Sequence, residues 1–137
     1  MVELLIGKKG TGKTKALIES VNNAASVAKG NVVFVSSNTG RNMYDIKSQV
    51  RMADTSEFDI ESYSEFLGFV CGIVSGNFDI TNIFVDGIFK IVGTEDLDGF
   101  EAFLNRLEKM SSQFNISFVI SVSIDANEAP DYIKKYV

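Results

Sequence analysis

Gly7-Lys8-Lys9-Gly10-Thr11-Gly12-Lys13-Thr14 fits the pattern G-x-x-x-x-G-K-[ST] at every defined position. Its flanks supply the context that separates such a match from a chance Gly/Lys-rich turn. Val2-Glu3-Leu4-Leu5-Ile6 has the character of a short buried strand. Lys13 to Ala28 carries Leu17, Val21, Ala24 and Ala28 along one helical stripe. Phosphate is the natural ligand of a turn between them, because N–H groups at a helix start lack partners and carry positive partial charge. Gly7, Gly10 and Gly12 let the backbone approach the phosphates closely. Lys13 is placed to reach the β- and γ-phosphates, and the Thr14 hydroxyl to ligate Mg²⁺. Lys8, Lys9 and Thr11 complete the expected loop.

Outward from this loop, strand and helix signals alternate, which predicts a parallel sheet covered on both faces. Gly30-Asn31 ends the first helix. Asn31 to Ser36 is a continuous apolar run suited to a strand buried on both sides. Ser37-Asn38-Thr39-Gly40 follows as a loop and possible cap, and Met43, Ile46 and Val50 predict a second helix reaching about Met52. Glu57 to Glu61 is a weaker strand signal. Ser62 or Ser64 can cap the next helix, whose Phe66, Leu67, Val70, Ile73 and Val74 form a wide apolar face before Gly76-Asn77. Asn82 to Asp86 is the fourth strand, Asp96 to Phe114 an amphipathic helix, and Ile116 to Ser123 the last strand. Pro130 precedes a short helix or tail, Asp131 to Tyr136. The sum is a three-layer α/β/α sandwich with a mostly parallel five-stranded sheet, a single domain over residues 1–137.

The bulk composition narrows the chemistry. The chain has 137 residues, 45% of them hydrophobic, and a net charge of −5. Such acidity argues against non-specific nucleic-acid binding and against attraction to anionic membranes. There is no histidine and one cysteine, which excludes a multi-cysteine zinc site and the commonest general base. Cys71, in the apolar run Phe69 to Val74, is expected to be a buried small hydrophobe. No signal peptide is apparent and no stretch approaches the roughly 18 apolar residues of a membrane span. The expectation is a cytoplasmic protein.

Catalysis on a nucleotide also needs an acid that holds metal. Asp86 ends an apolar strand, where it fits the Walker B role of holding Mg²⁺; the alternative is an Asp that merely opens a turn before Gly87. With these residues in place, the chain resembles the RecA-like branch of P-loop ATPases, which includes recombinases, hexameric helicases and circadian-clock ATPases. The resemblance runs through Gly7 to Thr14, Val32 to Asn38, Ile83 to Asp86 and Ile116 to Ser123, and covers nearly the whole chain. It implies ATP and ADP as ligands, Mg²⁺ as cofactor, and assembly into a homo-oligomer or a larger ATPase. It also implies a glutamate that polarises the attacking water, and here the chain departs. The position ending the second strand matches Asn38 or its serine neighbours, and the position after Asp86 is Gly87.

Asn can orient a water but cannot take its proton, and loss of a general base costs about 10²–10⁴ in rate. Glu61, expected to end the weak third strand, is the spare carboxylate that could serve; the alternative is a solvated Glu near a helix start. Ser121 and Ser123 lie where the family places a γ-phosphate sensor, or else are small residues packed under a helix. A cation supplied by a neighbouring subunit could be Arg41, Arg51, Arg106, Lys134 or Lys135. No N-K-x-D motif is present, so ATP is favoured over GTP. The reading is an ATP-binding protein, an ATPase or a slow, partner-activated switch in which Lys13, and either Asn38 or Glu61, serve catalysis. The alternatives are a nucleoside-type small-molecule kinase and a non-catalytic nucleotide-binding module.

Overall fold

The computed structural model describes residues 1–137. Its strands are β1 (Val2–Gly7), β2 (Asn31–Ser36), β3 (Arg51–Asp54), β4 (Ile80–Asp86) and β5 (Ser117–Ser123). Its helices are α1 (Lys13–Val27), α2 (Tyr63–Ser75), α3 (Ile88–Val92), α4 (Phe100–Phe114) and α5 (Asp131–Lys134), with a 3₁₀ turn at Thr39–Arg41. All strand pairs are parallel, in the order β1-β5-β4-β2-β3. The chain steps from β1 across to β2 and β3, then reverses through β4 to β5. Right-handed crossovers in opposite directions must lie on opposite faces. Accordingly α1 covers one face with Leu17 and Val21 against Val32, Phe34 and Phe84. On the other face α2, α3 and α4 pack Phe66, Ile88 and Leu104 against Val33, Ile83 and Ile120. The C-terminal tail covers the outer edge of β1, where the Leu4 N–H donates to the Tyr136 carbonyl at 2.9 Å.

The architecture agrees with the sequence, whereas four local expectations need correction. No helix runs from Gly40 to Met52: after the 3₁₀ turn this segment is a succession of turns. Ile46 and Val50 are still buried against α1, but Met43 is 52% exposed. The third strand is Arg51–Asp54, and Glu57–Glu61 is irregular, with the Phe58 N–H donating to the Thr55 carbonyl at 3.1 Å. Cys71 is exposed, because α2 turns Phe66, Leu67, Val70 and Val74 to the core and leaves position 71 outside. The helix expected from Asp96 begins at Phe100, since Gly99 at φ 87° breaks regular helix geometry. Ser62 does cap α2, its hydroxyl accepting from the Glu65 N–H at 3.0 Å.

Candidate functional site

Strand alternation puts residues i and i+2 on one face. On β2, β4 and β5 it turns Ser36, Asp86 and Ser121 toward the α1 side, with Phe34, Phe84 and Val119 below them. Sheet register sets Ser36 beside Asp86, and the Ser121 hydroxyl lies 3.1 Å from Asp86 Oδ1. A polar row therefore crosses the C-terminal ends of the three inner strands, directly beneath the start of α1.

The loop from Gly7 to Thr14 closes over this row. Gly10 (φ 78°) and Gly12 (φ 86°) occupy the left-handed region, where a side chain would be strained, and Gly12 caps α1. The Thr11 hydroxyl donates to the Lys8 carbonyl at 2.7 Å. Lys13 Nζ donates to the Gly7 and Lys8 carbonyls, both at 2.8 Å, so the ammonium is folded back inside the loop. Burial lowers the Lys13 pKa from the usual lysine value; Asp86 opposes that shift and the Lys90 charge adds to it.

Thr14 Oγ1 donates to Asp86 Oδ1 at 3.1 Å and lies 3.4 Å from Oδ2. Ser121 donates to the same carboxylate and accepts the Gly87 N–H at 2.7 Å, which fixes where Asp86 points. This is a pair of hard oxygen ligands of the kind Mg²⁺ takes when phosphate and water complete its shell. No group of three His, Cys, Asp or Glu side chains forms a dedicated cage. A cation here needs oxygens from something else.

These residues line a cleft of about 630 Å³ with one apolar side chain, Phe89, in its wall. Four cations, Lys9, Lys13, Arg41 and Lys90, face two carboxylates, Asp86 and Glu95. The cleft is thus an anion-attracting pocket in an acidic chain. Asn38 lines it, its N–H donating to the Ser36 hydroxyl at 3.1 Å. Next to it, Thr39 is held by Asp54, whose Oδ2 accepts from the Thr39 N–H at 3.1 Å and hydroxyl at 3.0 Å. Lys8 pairs with Asp125 at 3.4 Å, and Lys9 with Glu95 at 3.8 Å across the mouth.

Of the residues singled out from sequence, Gly10, Gly12, Lys13, Thr14, Asn38, Asp86, Ser121 and Ser123 come together in the cleft. Glu61 does not. It lines a separate cavity of about 420 Å³ with Tyr63, Asp96, Asp98 and Arg106, and the strand it was expected to end lies elsewhere. Among the candidate cations Arg41 is in the cleft, Lys134 pairs with Asp131 at 3.8 Å, and Lys135 sits over the Tyr136 ring at 5.1 Å. Lys90, Thr94 and Asp54 also serve this region without belonging to any of the sequence motifs. A signal for Lys90 was present: Gly87 and Gly93 bracket a five-residue apolar run that one lysine interrupts.

No protein-family model matches the chain, and no curated protein does. Among solved structures it is similar to a KaiC-like protein of the hyperthermophilic archaeon Pyrococcus horikoshii OT3, with a TM-score of 0.67 and 18% identity. The match covers 98% of this chain and 66% of that one, so the present chain spans just under two thirds of that protein's length. At this identity the likeness establishes the fold, which is RecA-like.

Proposed function

We propose that the chain binds a Mg²⁺-nucleoside triphosphate, ATP ahead of GTP, and acts as a slow or partner-activated ATPase or nucleotide switch. The observation that carries this reading is the Thr14 hydroxyl 3.1 Å from the Asp86 carboxylate, at the foot of a loop shaped by Gly10 and Gly12. Loop amides from Lys8 to Thr14 would hold the phosphates, and Lys13 would exchange two loop carbonyls for phosphate oxygens. Thr14 and Asp86 would hold Mg²⁺, which supplies charge neutralisation at the β- and γ-oxygens. Asn38 would orient a water by hydrogen bonding without accepting its proton. The other carboxylate in the cleft wall, Glu95, is 69% exposed and paired with Lys9.

Clear binding with slow turnover follows, the rate falling short of a base-assisted hydrolysis by about 10²–10⁴. Calorimetric titration with MgATP and MgADP tests the binding: dissociation constants below millimolar support it, and absence of binding removes it. Multiple-turnover phosphate release then separates a slow enzyme from a module that only holds nucleotide.

One observation favours a second reading, phosphate transfer to a small acceptor. The cavity containing Tyr63, Asp98 and Arg106 shares Thr94 with the cleft. Screening nucleosides and small metabolites for labelled-phosphate transfer tests it; transfer exceeding hydrolysis would favour the kinase.

A further inference from the structure

The helix α3 is built to present one side chain. Gly87 (φ 75°) turns the backbone directly out of β4, and Gly93 (φ 77°) ends the helix five residues later. Ile88, Phe89, Ile91 and Val92 are all buried, which fixes the rotation of so short a helix. Lys90 alone is exposed, and it lines the cleft that Lys13 and Asp86 share, with Phe89 in the wall beside it. Its stem lies along Gly87, with Cδ 3.7 Å from where a β-carbon there would stand. Lys8 and Lys9 have carboxylate partners, but Lys90 takes part in none of the chain's ion pairs. A helix that spends four apolar anchors to hold an unpaired cation near a second lysine creates like-charge repulsion, which an anion between the two would relieve.

We propose that Lys90 contacts the terminal phosphate of the nucleotide bound within its own chain, making the cleft selective for triphosphate over diphosphate without a cation from a neighbouring subunit. The inference rests on the nucleotide reading above. The two lysines enter the cleft from different elements, Lys13 at the start of α1 and Lys90 on α3, which begins two residues after Asp86. A terminal phosphate reached by Lys13 would therefore be met by a second cation from another part of the same chain. Arg41 lines the same cleft from the 3₁₀ turn that Asp54 holds through Thr39, so it is the cation against which Lys90 has to be compared.

The test compares MgADP with a Mg²⁺-bound, non-hydrolysable ATP analogue on the parent, Lys90→Gln, Lys90→Arg and Arg41→Gln proteins by calorimetry. A charge-assisted hydrogen bond corresponds to about tenfold or more in affinity. The expected result is that Lys90→Gln loses about that factor for the analogue, keeps MgADP affinity within about twofold, and recovers most of the loss as Lys90→Arg. Equal loss for both nucleotides, no loss for either, or a triphosphate-specific loss confined to Arg41→Gln would overturn the proposal. A parent protein that binds neither nucleotide would instead defeat the nucleotide reading itself, and this inference with it. Mixing Lys90→Gln with Lys13→Ala chains separates action within a chain from action between chains. The proposal expects no recovery of analogue affinity, and recovery would show that Lys90 reaches a neighbour's site, contradicting it.

Discussion

At the scale of single residues, Asp86 is the hub, because two hydroxyls converge on one carboxylate. Thr14 and Ser121 both donate to it, and Ser121 also accepts from the Gly87 N–H. Replacing Thr14 by Ala removes one of the two oxygens proposed to hold Mg²⁺ and leaves the loop backbone in place. We expect Thr14→Ala to lose the Mg²⁺ dependence of nucleotide binding while Thr14→Ser retains it, measured by titration with Mg²⁺ and with chelator. Ser121→Ala takes the partner from the half-buried Gly87 N–H, a loss of at most about 1 kcal/mol where water can reach the cleft, readable as a slightly lowered urea midpoint. Gly12→Ala places a side chain at φ 86°, at a cost of about 1–2 kcal/mol. That variant should both melt earlier and bind nucleotide more weakly.

At the scale of elements, the sequence was most legible where one face dominates a long helix or a strand is apolar throughout. Leu104 and Leu107 in α4, and the Asn31–Ser36 run in β2, show this: the spacing of the one and the unbroken apolarity of the other match the elements they form. The segment from Gly40 to Val50 misled because Met43, Ile46 and Val50 have helical spacing while the hydrogen bonds go elsewhere. Asn22 on α1 donates to the Asp45 carbonyl at 2.8 Å and accepts the Lys47 N–H at 2.9 Å, so a neighbouring helix takes up groups a local helix would have used. The four-residue β3 pairs on one side only and is too short for its alternation to stand out.

Asp54, at the end of β3, ties the Asn38 loop to the sheet. Hydrogen bonds from Ser56 first, and then from Thr39, hold its pKa down at about 2. A depressed folded-state pKa means that its contribution to stability is present above the ordinary carboxyl value and is lost as pH falls through about 2. We expect parent stability, followed by denaturant melts between pH 5 and pH 2, to fall more steeply than that of Asp54→Asn. The same variant should free Thr39 and speed hydrogen exchange at the amides of residues 38 and 39.

At the scale of the molecule, the cleft is where reversal of strand order, strand alternation and a helix start coincide. The loop from Gly7 to Thr14 was legible because the backbone freedom of its glycines follows from residue type alone. Asp86, Asn38 and Ser121 were legible from their places at strand ends, whereas Lys90 and Thr94 match no motif and reach the cleft through the placement of α3 and the turn after it. No helix is long and apolar enough to cross a membrane. A ligand that binds only the folded chain stabilises it by about 2.7 kcal/mol at a hundredfold excess over its dissociation constant. MgADP should therefore raise the melting temperature of the parent by clearly more than that of Lys13→Ala at the same ligand concentration, as followed by thermal unfolding.

The most direct test of the central claim is calorimetric titration of MgADP into the parent, Lys13→Ala and Asp86→Ala proteins under one set of conditions. The account predicts a parent dissociation constant below millimolar and a loss of at least about tenfold in each variant, the size of one charge-assisted contact. Parent and variants that bind MgADP equally, or a parent that does not bind it at all, would contradict it.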